Sequence, residues 1–423
     1  MRVLIMGSPT ASALKCFSGN DFISGGGWVE NLISNLSIKD DLELYVCFYY
    51  DYVEKVEKKF FNGVYYFALP IRVNGLKSCN EKMVKDLENM YKQIAPDIVH
   101  IIGTEREHNL KLLEIATSRR TIISITGLVN FCSIHYYGGI EEKKFKIRSI
   151  GDLIRHSGPI AEKKLFQKYG KSEVELIKKA NYVTGRTTWD YACVKQINSK
   201  IDYTYCGEIL NKVFYNNTWE ISKIEKYRIF VRQASYPLKG FHKLIEALPI
   251  ILRFFPKTEI YVAGPNILDK TTLKSRLKQT TYAKYLIRQL KKFNIPLNKL
   301  HFTGPLNAEG MLYQYLKANV FVLPSIIENS PNSLGEAMLL GMPCVSSCVG
   351  GVQDMVRDKC DAFIYPYDEP YMMAYYICQI LSNDKLAESM GKNARENAMK
   401  RFDINNTINI TYDLYSKVFK NKQ

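Results

Sequence analysis

Short runs of aliphatic and β-branched residues alternate along the chain with longer stretches whose apolar residues recur at helical spacing. This alternation favours parallel sheets whose strands are joined by crossover helices. The first series of predicted strands covers 2–6, 44–48, 65–69, 97–102, 121–125 and 182–184. The second series covers 228–233, 259–263, 300–303, 320–323, 344–347 and 362–364. The pattern therefore predicts an α/β chain with two parallel-sheet domains.

The helix and strand periodicity fades over residues 203–224, where polar residues such as Asn211 and Asn216 collect. Loss of pattern between two periodic series is typical of an interdomain crossing. We predict an N-terminal domain over 1–210 and a C-terminal domain over 211–399. The last stretch is helical in pattern, and we expect residues 400–423 to return to the first domain.

The composition is that of an ordinary globular chain, with 46% hydrophobic and 24% charged residues over 423 positions. This length is sufficient for two cores. No apolar run approaches the roughly 18 to 20 residues that cross a bilayer, and the chain opens directly into a strand pattern, so we expect a cytoplasmic protein. The ten cysteines are scattered singly, which indicates reduced thiols rather than a disulfide framework.

The loop after the predicted strand 320–323 is the richest in candidate ligands, because ligands of such sheets bind beyond the carboxyl ends of the strands. It carries Glu328, and Ser330-Pro331-Asn332 is predicted to open a helix that begins around Asn332, with Glu336 on its first turns. Unpaired amides and the helix dipole there would hold a diphosphate, while the two glutamates accept hydrogen bonds from sugar hydroxyls. The candidate diphosphate contacts are Asn329, Ser330, Pro331, Asn332, Ser333 and Leu334.

This stretch resembles glycosyltransferase family 4, whose hallmark is two glutamates with seven residues between them, as between Glu328 and Glu336 here. The flanking prolines, Ser333-Leu334 and the Gly341-Met-Pro segment also match the family pattern. The resemblance implies the GT-B architecture, with two Rossmann-like domains facing across a cleft. It implies that the second domain binds a UDP- or GDP-linked sugar, with Glu336 on the ribose and Glu328 on the hexose. It also implies retention of the anomeric configuration.

A second constellation stands where the second series of strands begins. Lys239 precedes Gly240 at a predicted strand exit, where a lysine can neutralise charge on a departing diphosphate. The family places an arginine five residues before this lysine, but that position is Ala234 here and Arg232 stands seven residues before Lys239. We take Glu328, Lys239 and Arg232 as candidate catalytic residues. Gly264, which follows the strand 259–263, is a further candidate for substrate binding.

The first domain offers candidate ligands in the loops after its strands. Gly26 and Gly27 end a glycine run that lets the backbone approach a phosphate or sugar, and the resemblance implies such a loop. Glu105 and His108 lie in a predicted loop where acceptor groups would sit, and His100 before them is interpreted as a packing residue. Thr126 stands where many relatives have a histidine near the reacting sugar.

The phrase Gly185-Arg-Thr-Thr-Trp-Asp190 resembles a signature of the capsular or surface polysaccharide branch of the family. Arg186 follows a predicted strand, and two interpretations of it remain open. It binds an anionic or hydroxyl group of donor or acceptor, or it pairs with Asp190 at the cap of the next helix.

The formal net charge is +16, and the basic residues are concentrated in 141–179 and in 270–292, which has no acidic residue. Such faces suit the anionic inner membrane surface and a lipid-diphosphate-linked acceptor, although a solvated helix face is the alternative. The chain has no Asp-x-Asp triplet and no histidine pair at metal-ligand spacing, so we expect no metal and no cofactor. No nucleic-acid motif is evident. A nucleic-acid-binding protein and a sugar-nucleotide epimerase on the same fold remain the alternatives.

Overall fold

The computed structural model describes residues 1–18, 27–71 and 79–421. The chain divides into two compact units. Unit 1 comprises Met1–Phe131, Gln167–Leu210 and Phe402–Gln423, and unit 2 comprises Cys132–Phe166 and Asn211–Arg401. The sequence assigned 132–166 to the first domain, whereas the structure groups this segment with unit 2. The physical reason is that backbone groups of this segment are hydrogen-bonded to side chains of unit 2. The carbonyl of Gly138 is bonded to the His242 ring, and the amide of Ser149 donates to the Thr281 hydroxyl.

Unit 1 is built on an eight-stranded sheet. Its strands are β1 (Arg2–Met6), β2 (Glu43–Tyr50), β3 (Glu57–Phe61), β4 (Val64–Pro70), β5 (Ile98–Ile102), β6 (Thr121–Ser124), β7 (Tyr182–Gly185) and β8 (Asp202–Tyr205). They lie in the order β3-β4-β2-β1-β5-β6-β7-β8, and the β3–β4 pair is antiparallel while the other pairs are parallel. The sequence missed β3 and β8, which are the two edge strands and carry no continuous buried run.

Unit 2 is built on a six-stranded parallel sheet. Its strands are β9 (Arg228–Val231), β10 (Glu259–Val262), β11 (Leu300–Phe302), β12 (Val320–Leu323), β13 (Cys344–Ser347) and β14 (Phe363–Tyr365). They lie in the order β11-β10-β9-β12-β13-β14, which is that of a doubly wound sheet. The strand order reverses between β9 and β12, so a ligand crevice is expected beyond the carboxyl ends of these two strands.

The helices cross between the strands as the alternating pattern predicts. In chain order they are α1 (Ala11–Ser18), α2 (Gly27–Leu36), α3 (Glu81–Ile94), α4 (Glu107–Ala116), α5 (Val129–Ile134), α6 (Ile150–Ile154), α7 (Pro159–Lys179), α8 (Thr188–Ile197), α9 (Lys212–Asn216), α10 (Phe241–Phe254), α11 (Leu273–Lys278), α12 (Thr281–Lys292), α13 (Ala308–Lys317), α14 (Asn332–Leu339), α15 (Pro370–Ser382), α16 (Asp384–Arg401) and α17 (Ile404–Lys420).

Two apolar clusters cover the two faces of the unit 1 sheet. Leu4 and Met6 face one cluster, whereas Val3 and Ile5 face the other, because successive side chains of a strand point to opposite faces. Tyr415 of α17 is fully buried in the second cluster. The last helix is therefore part of the core of unit 1.

The predicted fold class is confirmed, since the chain is α/β with two parallel-sheet units. The ten cysteines form no disulfide bond. In the described ranges, which omit 19–26, 72–78 and 422–423, no helix has the length and apolar character needed to span a bilayer.

Candidate active site

The turn after β9 and the loop after β12 are joined through their backbones. A short 3-10 helix, Pro237–Lys239, follows β9 and ends at Gly240, whose φ is +65°. A Cβ at Gly240 would lie 1.7 Å from the carbonyl oxygen of Pro324, so only glycine permits this approach. The amide of Ile326 donates a hydrogen bond of 2.8 Å to the carbonyl of Leu238. The two loops therefore form one rigid platform at the point where the strand order reverses.

Two of the predicted catalytic residues meet on this platform. Lys239 Nζ lies 2.6 Å from Glu328 Oε1, which also accepts a hydrogen bond of 2.7 Å from the Ser325 hydroxyl. The lysine and glutamate side chains are 25% and 13% exposed, so the pair is mostly screened from water and still reachable by a ligand. Burial by itself lowers the pKa of Lys239, but the charge of Glu328, its hydrogen bond and Tyr236 together outweigh that effect and raise the pKa above its ordinary value. Lys239 is therefore a firmly protonated cation.

Glu336 and Arg232 influence each other electrostatically in unit 2. Glu336 Oε2 accepts a hydrogen bond of 2.9 Å from the hydroxyl of Tyr315, a fully buried residue of α13. Burial raises the pKa of Glu336, and the positive charge of Arg232 opposes this shift. In turn the Glu336 carboxylate raises the pKa of Arg232 more than any other group. The electrostatic interaction of Arg232 is therefore stronger with Glu336 than with Glu328. Arg232 has this position although its distance in sequence from Lys239 departs from the family pattern.

The helix α14 begins at Asn332, as the sequence predicts, with Pro331 in the N-cap position. Proline has no side chain that could accept hydrogen bonds from the first helical amides, and the first amides of any helix have no intrahelical acceptor. Asn329, Ser330 and Ser333 are buried around this end. Leu334 is buried completely, and its amide donates a hydrogen bond of 3.0 Å to the carbonyl of Pro331.

Gly264 lies at the end of β10, where its backbone exchanges two hydrogen bonds, of 2.9 and 3.0 Å, with Gly304 beyond β11. Its φ is +118°, a conformation that side chains disfavour. A Cβ at this position would meet no heavy atom within 4 Å. The backbone of Gly264 is therefore accessible from the carboxyl end of the sheet.

Sequence reasoning missed two residues of this site. Ser325 occupies the second position of the Pro-Ser-x-x-Glu part of the family pattern, so the motif contained a signal for it. Tyr315 carries no such signal, because it lies on the apolar face of α13 and contacts Glu336 only through the packing of that helix.

In unit 1, Glu105 and Thr126 lie close together beyond β5 and β6. A Cβ placed on Gly103 would be 3.1 Å from Glu105 Oε2 and 3.5 Å from Thr126 Oγ1. Glu105 also lies 3.6 Å from the guanidinium of Arg106, and Thr126 is exposed. The structure thus brings together two of the predicted acceptor-side residues.

Glu173, on α7, ties these two loops together from inside the unit. Its carboxylate accepts hydrogen bonds from the Thr104 hydroxyl at 2.6 Å and from the amides of Val129 at 3.1 Å and Asn130 at 2.9 Å. Burial raises the pKa of Glu173 to about 7, and the three hydrogen bonds limit that shift. The folded state therefore binds this proton more tightly than the unfolded state. The stability that the protonated acid provides is full below its ordinary pKa and is lost as the pH rises towards 7.

His108 was predicted in a loop, but it lies on the first turn of α4, which begins at Glu107. It is buried, with its ring centroid 4.6 Å from that of Tyr49, and burial lowers its pKa to about 3. This packing favours a structural role. His100 is buried as expected, and its ring nitrogens contact Tyr415 and Ser124.

Arg186 is also buried in unit 1 rather than directed to solvent. Its guanidinium lies 2.6 Å from Glu208 and donates a hydrogen bond of 2.6 Å to the carbonyl of Ile125. The Asp190 carboxylate instead accepts a hydrogen bond from the backbone amide of Arg186, and it forms a capping box with Thr187. The expected partner Asp190 therefore caps the helix, while the arginine charge is met by Glu208, which the sequence did not single out.

The predicted glycine loop is only partly described. Gly26 lies outside the described residues, and Gly27 is the first residue of α2. Over the parts of the chain that the structure describes, no cluster of three or more histidine, cysteine, aspartate or glutamate side chains could hold a metal ion.

The two doubly wound sheets have the fold of the GT-B glycosyltransferases. Sucrose-phosphate synthase from Thermosynechococcus elongatus superposes with a TM-score of 0.71 at 14% identity, over 99% of both chains. At this identity the likeness concerns the fold alone.

Residues 214–397 match the family model described as "Glycosyl transferases group 1". An uncharacterized glycosyltransferase of Methanocaldococcus jannaschii is 26% identical over 205 residues, which are 48% of each chain. The UDP-Gal:alpha-D-GlcNAc-diphosphoundecaprenol alpha-1,3-galactosyltransferase of Escherichia coli is 32% identical over 108 residues, 25% of this chain and 28% of that one. The chain thus spans about half or less of the length of these curated relatives.

Proposed function

We propose that this chain transfers a sugar from a UDP- or GDP-linked donor to a glycan or lipid-linked glycan acceptor, with retention of the anomeric configuration. The observation that carries the proposal is the Lys239–Glu328 pair, held on the platform between β9 and β12 beside the open amides of α14. The match of this region to a glycosyltransferase family supports it.

The chemistry follows from the charges of the site. The N-terminus of α14 and the Lys239 ammonium face the negative charge of a diphosphate, and this charge grows as the sugar leaves. Glu336 accepts hydrogen bonds from the ribose hydroxyls, while the charge of Arg232 opposes the rise that burial causes in the pKa of that carboxylate. Glu328 accepts a hydrogen bond from a hydroxyl of the transferred hexose. The sugar passes through an oxocarbenium-like transition state, and the acceptor arrives on the face from which the diphosphate departs.

The acceptor side of the proposal is a lipid-diphosphate-linked glycan of surface polysaccharide assembly, such as capsule, in a bacterium. The name of the Escherichia coli relative states a GlcNAc-diphosphoundecaprenol acceptor, which supports this class. The candidate contacts are Glu105 and Thr126 at the carboxyl ends of β5 and β6. We place the reaction in the cytoplasm, at the inner membrane face.

A donor panel tests the first half of the proposal. Saturation-transfer NMR with UDP- and GDP-linked sugars should show contact to one nucleotide, and Glu336→Ala should abolish that signal. The selected donor is then incubated with a soluble pyrophosphate-linked acceptor, and the coupling constant of the new anomeric proton reports retention. If no nucleotide sugar binds, or if the donor alone is converted to an epimer, the transferase proposal is wrong.

A further inference from the structure

Six aliphatic side chains of unit 2 are exposed on α6, on the segment just before it and on α11. We name them, with the cations around them, the α6–α11 surface. Its aliphatic members, between 42% and 88% exposed, are Ile147, Ile150, Leu153, Ile154, Leu273 and Leu277. Ile154, Leu273 and Leu277 line one groove, together with Gly151 and the cationic residues Arg155, Lys274 and Lys278. Exposed aliphatic side chains that cluster in this way mark an interaction surface.

The α6–α11 surface is held in place by hydrogen bonds beneath it. The Thr281 amide donates a hydrogen bond of 2.6 Å to the buried carboxylate of Asp152, and the Ser149 amide donates one of 2.9 Å to the Thr281 hydroxyl. Arg155 donates to the carbonyl of Lys278 at 2.8 Å. Gly151 packs so closely that a Cβ there would lie 2.8 Å from the same carbonyl. The aliphatic side chains therefore point outward from an anchored segment.

The aliphatic side chains are bordered by cations. A cleft beside Ile147 is lined by six of them: Lys143, Lys144, Arg148, Lys284, Arg288 and Lys292. Within 143–157 and 270–292 the only acidic residue is Asp152, which is fully buried. At the margin, Glu141 pairs with Lys143. The exposed charge of the surface is therefore strongly positive.

We propose that the α6–α11 surface docks this protein on an anionic lipid bilayer. Aliphatic side chains enter the acyl boundary of a bilayer while lysine and arginine pair with anionic headgroups. A nucleic acid would instead favour exposed aromatic rings for base stacking, and the aromatic residues of these segments, Phe145, Tyr282 and Tyr285, are buried. A second copy of the chain would bring like charges together. The inference concerns residues outside the candidate donor site and holds whether or not the proposed transfer is correct.

Cosedimentation of the full chain with lipid vesicles tests this inference. We expect binding to phosphatidylcholine vesicles that contain phosphatidylglycerol, weak binding to phosphatidylcholine alone, and weakening by salt. The double variant Lys284→Ala, Arg288→Ala should bind about 25-fold more weakly, at roughly fivefold for each cation. The double variant Leu273→Ser, Ile154→Ser should lose on the order of tenfold for each aliphatic side chain.

Matched control variants use exposed residues of unit 2 outside this surface. Phe254→Ser on α10 controls for loss of an exposed apolar residue, and Lys385→Ala with Lys392→Ala on α16 controls for loss of charge. Both should bind vesicles as the unchanged chain does. Nucleotide binding, measured on every variant, should stay constant and so separates lost docking from unfolding. Equal vesicle binding by the surface variants and the controls overturns the inference, as does binding of RNA with no binding of vesicles.

Discussion

The replacement Lys239→Met removes the charge that faces the candidate diphosphate site and keeps a side chain of similar length. If the ammonium stabilises charge that develops as the diphosphate leaves, the loss appears in turnover more than in donor affinity. Removal of one preorganised donor of this kind costs about 100- to 1000-fold in kcat, or about 2.7–4 kcal/mol. Donor affinity should change by less than about tenfold, since the open amides of α14 remain.

The same replacement has a calculable effect on folding. Glu328, at 13% exposure, loses the lysine at 2.6 Å but keeps its hydrogen bond from Ser325. One lost partner of a mostly buried carboxylate costs about 1–3 kcal/mol. For a unit of this size that corresponds to a fall of roughly 2–12 °C in Tm. Stability and turnover are therefore both expected to fall, for separable reasons.

The assay is single-turnover transfer from a radiolabelled nucleotide sugar, with donor affinity from calorimetry and Tm from differential scanning. Lys243→Met is the matched control, because Lys243 lies on the next turn of the chain and pairs with Glu246 at 3.3 Å outside the candidate site. The control should leave kcat unchanged. Equal losses in kcat and donor affinity for Lys239→Met would refute the reasoning and assign the lysine to ground-state binding.

Three further predictions follow from the geometry. Glu336→Gln should weaken nucleotide binding about 10- to 100-fold, since a hydrogen bond to a charged acceptor contributes about 1.5–3 kcal/mol. Between pH 5 and 7 the unfolding free energy of the unchanged chain should fall by about 2 kcal/mol relative to Glu173→Gln, because only the former carries the raised pKa. Gly240→Ala should lower Tm and abolish donor binding, since its Cβ would collide with the Pro324 carbonyl. Titration calorimetry measures the nucleotide affinity of Glu336→Gln and the donor binding of Gly240→Ala. Urea unfolding at each pH measures the unfolding free energies, and scanning calorimetry measures the Tm of Gly240→Ala.

Each of these predictions has an outcome that contradicts it. Unchanged nucleotide affinity in Glu336→Gln would remove the ribose role. Parallel pH profiles for the unchanged chain and Glu173→Gln would show that Glu173 titrates normally. Gly139→Ala is the control for Gly240→Ala, because Gly139 also has a positive φ, of +79°, but its Cβ would meet nothing within 4 Å. Equal effects of the two would mean that backbone strain, and not the collision, dominates.

Much of the fold could be predicted because hydrophobic pattern reports burial. The strands 320–323 and 344–347 have the predicted bounds, since both are buried along their whole length. The edge strand β3 was missed because its exposed Glu-Lys-Lys residues carry no such pattern. The segment 132–166 was assigned to the N-terminal domain, whereas the structure groups it with unit 2. The local sequence of such a segment contains no information on which of two cores it packs against.

The candidate site divides in the same way. The sequence by itself determined the glutamate pair, Lys239 and the start of α14, because these depend on local spacing and on the residue types that end a strand or begin a helix. Only the tertiary structure decided that Glu336 contacts Tyr315 and that Arg186 contacts Glu208. Those contacts join elements distant in the chain, and their geometry is set by packing and burial rather than by any local pattern.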